Sequence, residues 1–147
     1  MTEYNLATEQ HPARRVALMS REFVHSHNKA GWLSMFAENG IIEDPIGVSP
    51  LDPAGNGHKT PAEREAFWNN NIANSSIKIT IHESYAAGNE VANHLTLDMV
   101  VPMGDKKFSQ QVKGVFTYKV DDRGKLLALR GYWELEEAAK TIREVPS

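Results

Sequence analysis

The sequence predicts an α+β domain: helices come first, and an antiparallel meander follows. The expected product is a curved antiparallel or mixed sheet with the N-terminal helices packed over its concave face. Three observations carry this expectation. Apolar residues recur at helical spacing from about Gln10 to Asn28 and again to about Ala37. From Ile77 onward the chain shows runs of two-residue alternation, separated by Gly88-Asn89, Gly104-Asp105 and Asp121-Asp122-Arg123-Gly124. The 147 residues contain no internal repeat, low-complexity run or Pro/Gly-rich linker, so one domain is expected over 1–147, with the polar residues 1–9 loose.

Each element has a local cause. Pro12 suits a first helical turn, and Val16, Met19, Ser20, Phe23, Val24 and His27 share one face at i, i+3, i+4 spacing. Arg14, Arg15, Arg21, Glu22 and His25 lie opposite. The inner face thus carries a serine and a histidine. A second short helix, about Lys29 to Ala37, presents Trp32, Leu33, Met35 and Phe36, and Glu38-Asn39-Gly40 is expected to stop it. Gly40 to Gly47 reads as a short strand broken at Pro45, and a Pro-, Gly- and Asp-rich loop runs from Val48 to Lys59. Thr60-Pro61-Ala62-Glu63 reads as a helix start, with Thr as cap, Pro at the first position and Glu at the third. That helix is expected to reach about Asn74 and to present Ala66, Phe67 and Trp68. In the meander, alternation places Ile77, Ile79 and Ile81 on one face, then Asn93, Leu95, Leu97 and Met99, then Val112, Gly114, Phe116 and Tyr118, then Leu127, Leu129, Gly131 and Trp133. A short helix, Glu136 to Arg143, closes the chain.

Composition excludes several function classes. Hydrophobic residues make up 41% and charged residues 24%, the balance of a globular chain. Lys+Arg is 16 and Asp+Glu is 19, a net charge of −3, so no basic surface is offered to nucleic acid or to an anionic membrane. With no cysteine, disulfides, thiol nucleophiles and Cys-ligated metals are excluded. His25 and His27 are two apart and do not share a helix face, so no metal site is expected, and no cofactor. Unbroken apolar runs such as Val16-Ala17-Leu18-Met19 are far shorter than the ~20 residues of a membrane helix, and no signal peptide is read, so a soluble, cytoplasmic protein is expected.

Asp44 is the most informative residue. Strand alternation puts it with Ile42 and Ile46, while Glu43 points the other way. A carboxylate on an apolar face is expensive, and desolvation raises its pKa toward general-base duty. The alternative on spacing alone is that Asp44-Pro45 starts a turn and the carboxylate bonds local backbone N–H groups.

Ile41-Ile42-Glu43-Asp44-Pro45-Ile46-Gly47, the Phe67-Trp68 helix and Leu129-Arg130-Gly131-Tyr132-Trp133 together resemble the ketosteroid isomerase (steroid Δ5-isomerase) family. That family belongs to the cone-shaped fold of nuclear transport factor 2 (NTF2-like) and SnoaL-like proteins, and the likeness spans about Ala13 to Leu135. The resemblance implies a cofactor-free enzyme in which Asp44, as general base, moves a proton along a conjugated ketone. It implies that Trp68 supports an oxyanion hole and that Trp133 floors a steroid pocket. Phe36, Leu95, Leu97, Met99, Val112, Phe116 and Leu129 match apolar wall positions. Ser20 falls where the family's oxyanion-hole tyrosine belongs, and Gly114 where its protonated aspartic acid belongs; the ketosteroid isomerase pair is a standard illustration of such tuned donors. Ser20 with a held water, the indole N–H of Trp68 or Trp133, and Asn93 are the substitutes the sequence offers. The implied partner is a small apolar or steroid-like ligand, and the implied assembly is a homodimer through the convex sheet face bearing His94, Thr117, Arg130 and Tyr132. The alternatives are a binding protein for such a ligand without turnover, or another acid–base reaction of the fold, such as water activation or cyclisation.

Overall fold

In the computed structural model, which describes residues 3–146, the N-terminal periodicity resolves into two helices. Helix α1 (Pro12–His25) starts with proline in its first turn, where the His11 ring accepts the Ala13 amide at 3.2 Å. Its buried face is Ala13, Val16, Ala17, Ser20 and Val24, with Leu18 buried as well. His27 lies beyond its end, exposed and at φ 54°. Residues 3–9, expected to be loose, are tied to α1: Arg15 donates to the Leu6 and Glu9 carbonyls, and Arg21 to the Tyr4 carbonyl. Met1 and Thr2 of that expectation lie outside the described residues. Helix α2 (Lys29–Ser34) is capped by Asn28, whose side chain accepts the Gly31 amide.

Strand β1 (Phe36–Glu43) begins at Phe36 rather than at Gly40. Glu38-Asn39-Gly40 is therefore an irregular stretch of strand and not a helix stop. Gly40 answers a packing need: a Cβ there would come within 2.7 Å of the Leu126 carbonyl. Helix α3 (Pro61–Asn71) carries the predicted capping box, with Glu63 N donating to Thr60 Oγ1 at 3.1 Å and Thr60 N to Glu63 Oε1 at 3.0 Å. From α3, the buried Arg64 guanidinium donates to the Gly40 and Lys59 carbonyls, binding the helix to β1.

Strands β2 (Ser76–Ala87), β3 (Glu90–Met103), β4 (Lys106–Val120) and β5 (Leu126–Tyr132) form the meander. The sheet runs β1-β5-β4-β3-β2, with β1 parallel to β5 and the other neighbours antiparallel. A register shift at Lys119/Val120 puts Leu126, rather than Leu127, in the core. Helix α4 (Leu135–Ala139) stops short of the predicted Arg143, because Thr141 turns back to the Ala138 carbonyl at 2.7 Å. A two-residue strand, β6 (Arg143–Glu144), then pairs with β4. The α+β class and its helices over a curved sheet are as the sequence predicts. No helix among the described residues is long and apolar enough to cross a membrane.

Candidate active site

A cavity of about 280 Å³ lies between the helices and the sheet. Its walls are mostly apolar, and it sits near the small end of the range for small-molecule sites. Leu95, Leu97, Met99, Val112, Phe116 and Leu129, predicted as wall residues, line it. The pleat explains why: successive inward positions of β3 and β4 pair across the sheet, Leu97 with Val112 and Met99 with Gln110.

Asp44 follows the last residue of β1. Glu43, pointing the other way, accepts from Arg130 Nε at 2.8 Å, so alternation sends Asp44 into the cavity wall. Ile46, expected on the same face, is exposed, because the strand has ended. Trp133 Nε1 donates to Asp44 Oδ1 at 2.6 Å. Asp44 is half-buried by accessible surface yet closely surrounded by protein, as expected of a group on the wall of an open cavity. Burial raises its pKa from 3.8 to about 6, against the Trp133 hydrogen bond, which lowers it. Gly131 makes the arrangement possible. A Cβ there would lie 2.6 Å from Asp44 Oδ1, 2.9 Å from the Phe116 ring and 3.0 Å from Trp133 Nε1.

Ser20 also lines the cavity, but it is engaged: Trp32 Nε1 donates to its Oγ at 3.0 Å. Tyr118, on the wall beside Ser20, is 5% exposed. Burial first, and then the neighbouring Asp44 charge, push its phenol above the ordinary range, while Ser20 pulls the other way.

Four predicted site residues do not reach the cavity. Trp68 is buried against Trp32, ring centroids 5.3 Å apart, and does not line the cavity. Phe36 packs edge-on against Trp32 at 5.0 Å and under the Arg64 guanidinium at 5.5 Å. Asn93 shares the inward face but is 1% exposed and lies off the cavity wall, with neither amide atom hydrogen-bonded among the described residues. Gly114 faces inward too, but a Cβ there would clash with the Tyr132 carbonyl and lie 2.9 Å from Trp133 Cβ. The chain after β5 covers that position, so no side chain from it can enter the cavity. Trp133 lines the cavity as predicted, but its N–H is committed to Asp44 and is not a free donor.

Several lining residues were not assigned to the site from the sequence, among them Trp32, Tyr118 and Leu51. Trp32 was placed on a helix but not assigned to the site, and Tyr118 stood in the inward alternation of β4 without being singled out. Leu51 comes from the loop after β1, where no periodicity exists to read. That loop is folded by the buried Asp52, which accepts the Gly57 amide at 2.7 Å.

A family profile described as a SnoaL-like domain matches residues 17–128. The chain belongs to the SnoaL-like family. The match runs from within α1 into the first residues of β5, so it includes Ser20, Asp44 and Tyr118 but not Trp133. Among solved structures, the chain is similar to a Δ5-3-ketosteroid isomerase from Mycobacterium sp., at 32% identity and TM-score 0.81 over 92% of this chain and 100% of that one. It is similar to RV0760c from Mycobacterium tuberculosis in complex with estradiol-17β-hemisuccinate, at 34% identity and TM-score 0.81 over 91% and 99%. It is also similar to a computationally designed 17-OHP binder, at 30% identity and TM-score 0.80 over 95% and 100%. No curated protein matches by sequence.

Proposed function

We propose that the chain is a cofactor-free acid–base enzyme of the steroid Δ5-isomerase type, acting on a steroid-like or polycyclic ketone. One observation carries the reading: a carboxyl group with its pKa raised to about 6 stands on the wall of an apolar cavity, oriented by an indole N–H at 2.6 Å. Such a group is largely ionised at neutral pH, yet basic enough to take a proton from carbon. In the proposed reaction Asp44 removes a proton from the carbon between the ketone and the isolated double bond. The electrons move onto the ketone oxygen as a dienolate. The same carboxyl returns the proton to the far end of the conjugated system, so no proton is gained or lost overall. The likeness to a ketosteroid isomerase and to a protein bound to an estradiol derivative supports the ligand class.

The test is conversion of a Δ5-3-ketosteroid to its conjugated enone, followed by ultraviolet absorbance. Turnover is expected to rise with pH through about 6, as Asp44 loses its proton. Asp44→Asn should lower turnover by about a hundred- to ten-thousand-fold, the ordinary contribution of a positioned base. Enone formation that is unaffected by Asp44→Asn would refute the assignment. Ser20 and the covered Gly114 supply none of the acidic donors of the resembling family, and this favours a second reading, a binding protein for the same ligand. In that case ligand binds and no enone forms.

A further inference from the structure

We propose that the Tyr118 hydroxyl is the hydrogen-bond donor to the ligand oxygen, and that Trp32 and Ser20 aim it. The inference rests on the reading above, since it names the group that completes the same site. A base alone leaves the dienolate charge unmatched, and a cavity wall this apolar offers few groups that can meet it. Of the polar wall residues, Ser75 and Gln110 belong to the other end of the sheet, where Ser76 pairs with Val100 and Gln110 with Met99. Asn70 is exposed, and Asn71 donates to the Phe67 carbonyl; Asp44, Ser20, Trp32, Tyr118 and Trp133 are the others. Asp44 is the base. The Trp133 N–H is held by Asp44 at 2.6 Å, and the Trp32 N–H by Ser20 at 3.0 Å. The hydroxyls of Ser20 and Tyr118 remain.

The direction of the chain follows from donor capacity. An indole N–H donates and cannot accept, so the Trp32–Ser20 bond runs one way only. Ser20 receives that proton at Oγ and keeps one of its own to give. Tyr118 lines the same cavity wall as Ser20, and the serine favours its charged form. In the proposed arrangement the Ser20 hydroxyl donates to the Tyr118 oxygen, and the Tyr118 proton is left for the ligand in the cavity. Each bond in such a chain polarises the next. Tyr118 also lies close enough to Asp44 to feel its charge, so donor and base serve one ligand end. The phenol keeps its proton throughout: it shares a hydrogen bond with the dienolate oxygen, and no bond to hydrogen breaks. Tyr118 is thus a catalytic residue, whereas Ser20 and Trp32 act through it as positioning residues. The donor comes from β4 and stands across from the α1 position that Ser20 occupies.

The experiment uses the full chain and two probes, estradiol and its 3-deoxy counterpart, titrated by tryptophan fluorescence. A phenolic oxygen carries partial negative charge and stands in for the dienolate. Tyr118→Phe, which removes a single oxygen, should weaken estradiol binding on the order of 10–100-fold and leave the deoxy probe unchanged. In the isomerase assay the same variant should lose about a hundred- to a thousand-fold in kcat with little change in KM, because the bond strengthens as charge develops. Ser20→Ala should give a smaller loss in kcat, and that loss should vanish in the Tyr118→Phe background. A wild type that does not prefer estradiol to the deoxy probe overturns the proposal, and so does a Tyr118→Phe variant that keeps the preference or loses both ligands equally. If Asp44→Asn abolishes turnover while Tyr118→Phe retains full kcat, the donor assignment fails and the isomerase reading stands. If no enone forms but the preference depends on Tyr118, the isomerase reading fails and the donor stands.

Discussion

Replacing Asp44 by asparagine should make the protein more stable at neutral pH, and the size of the effect follows from burial. The folded-state pKa is about 6 and the ordinary value 3.8. Between those values the folded chain binds a proton that the unfolded chain has released. Stability therefore falls as pH rises from about 4 to about 6, and it stays at its reduced level above that. The gap between the two values corresponds to ~3 kcal/mol. Asparagine cannot titrate, so the variant lacks this slope. Trp133 Nε1 can donate to an amide oxygen as it does to Oδ1, which keeps the local packing. The clean quantity is the difference in unfolding free energy between variant and wild type, measured in urea from pH 3 to pH 8. Groups such as Glu9 and His25, whose pKa values are lowered in the fold, titrate in both proteins and cancel. The difference should grow in favour of the variant by ~3 kcal/mol across this range, about 6–12 °C in Tm for a chain of this length. A difference that is flat with pH would mean that Asp44 is not desolvated, and the argument for a raised base would fall.

Gly131→Ala should fold but lose about a hundred-fold in turnover, because the new methyl would meet Asp44 Oδ1 at 2.6 Å and push the carboxyl off its line; unchanged kinetics would show that the close approach is not needed. An apolar polycycle should quench tryptophan fluorescence through Trp32 and Trp133, which line the cavity, so Trp68→Phe should leave most of the quench in place; if Trp68→Phe removes it, the ligand is bound elsewhere.

Faces of strands were legible in the sequence, and layers were not. Two-residue alternation placed Leu95, Leu97, Met99, Val112 and Phe116 on the cavity side, because the pleat leaves no other arrangement. It placed Asn93 and Gly114 on that side as well, and there the inference to a site failed. Asn93 is inward but buried off the cavity wall, and Gly114 is inward but roofed by the chain at Tyr132 and Trp133. Periodicity along one strand carries no information about what a distant segment lays over it. The same limit produced the misplaced tryptophan: α3 presents Trp68 to the core, against Trp32 of α2, and it is Trp32 that lines the cavity.

The inward glycines sharpen the point. A glycine in a strand weakens it unless something must come close. At Gly131 the nearest atoms are Asp44, Phe116 and Trp133, so the missing side chain is the space in which base and indole meet. At Gly114 the nearest atoms are the Tyr132 carbonyl group and Trp133 Cβ, so the space of the missing side chain is filled by the end of β5 and the residue after it. One residue type at two inward positions thus does opposite things, one opening the site and one closing the wall. Resemblance treats Gly114 as a lost donor, yet an aspartate at that position would meet the Tyr132 carbonyl before it met a ligand. Any donor must come from a position that the fold leaves open. On this wall that position is Tyr118, brought to Ser20 and Trp32 by three separate elements and by no local spacing a sequence could display.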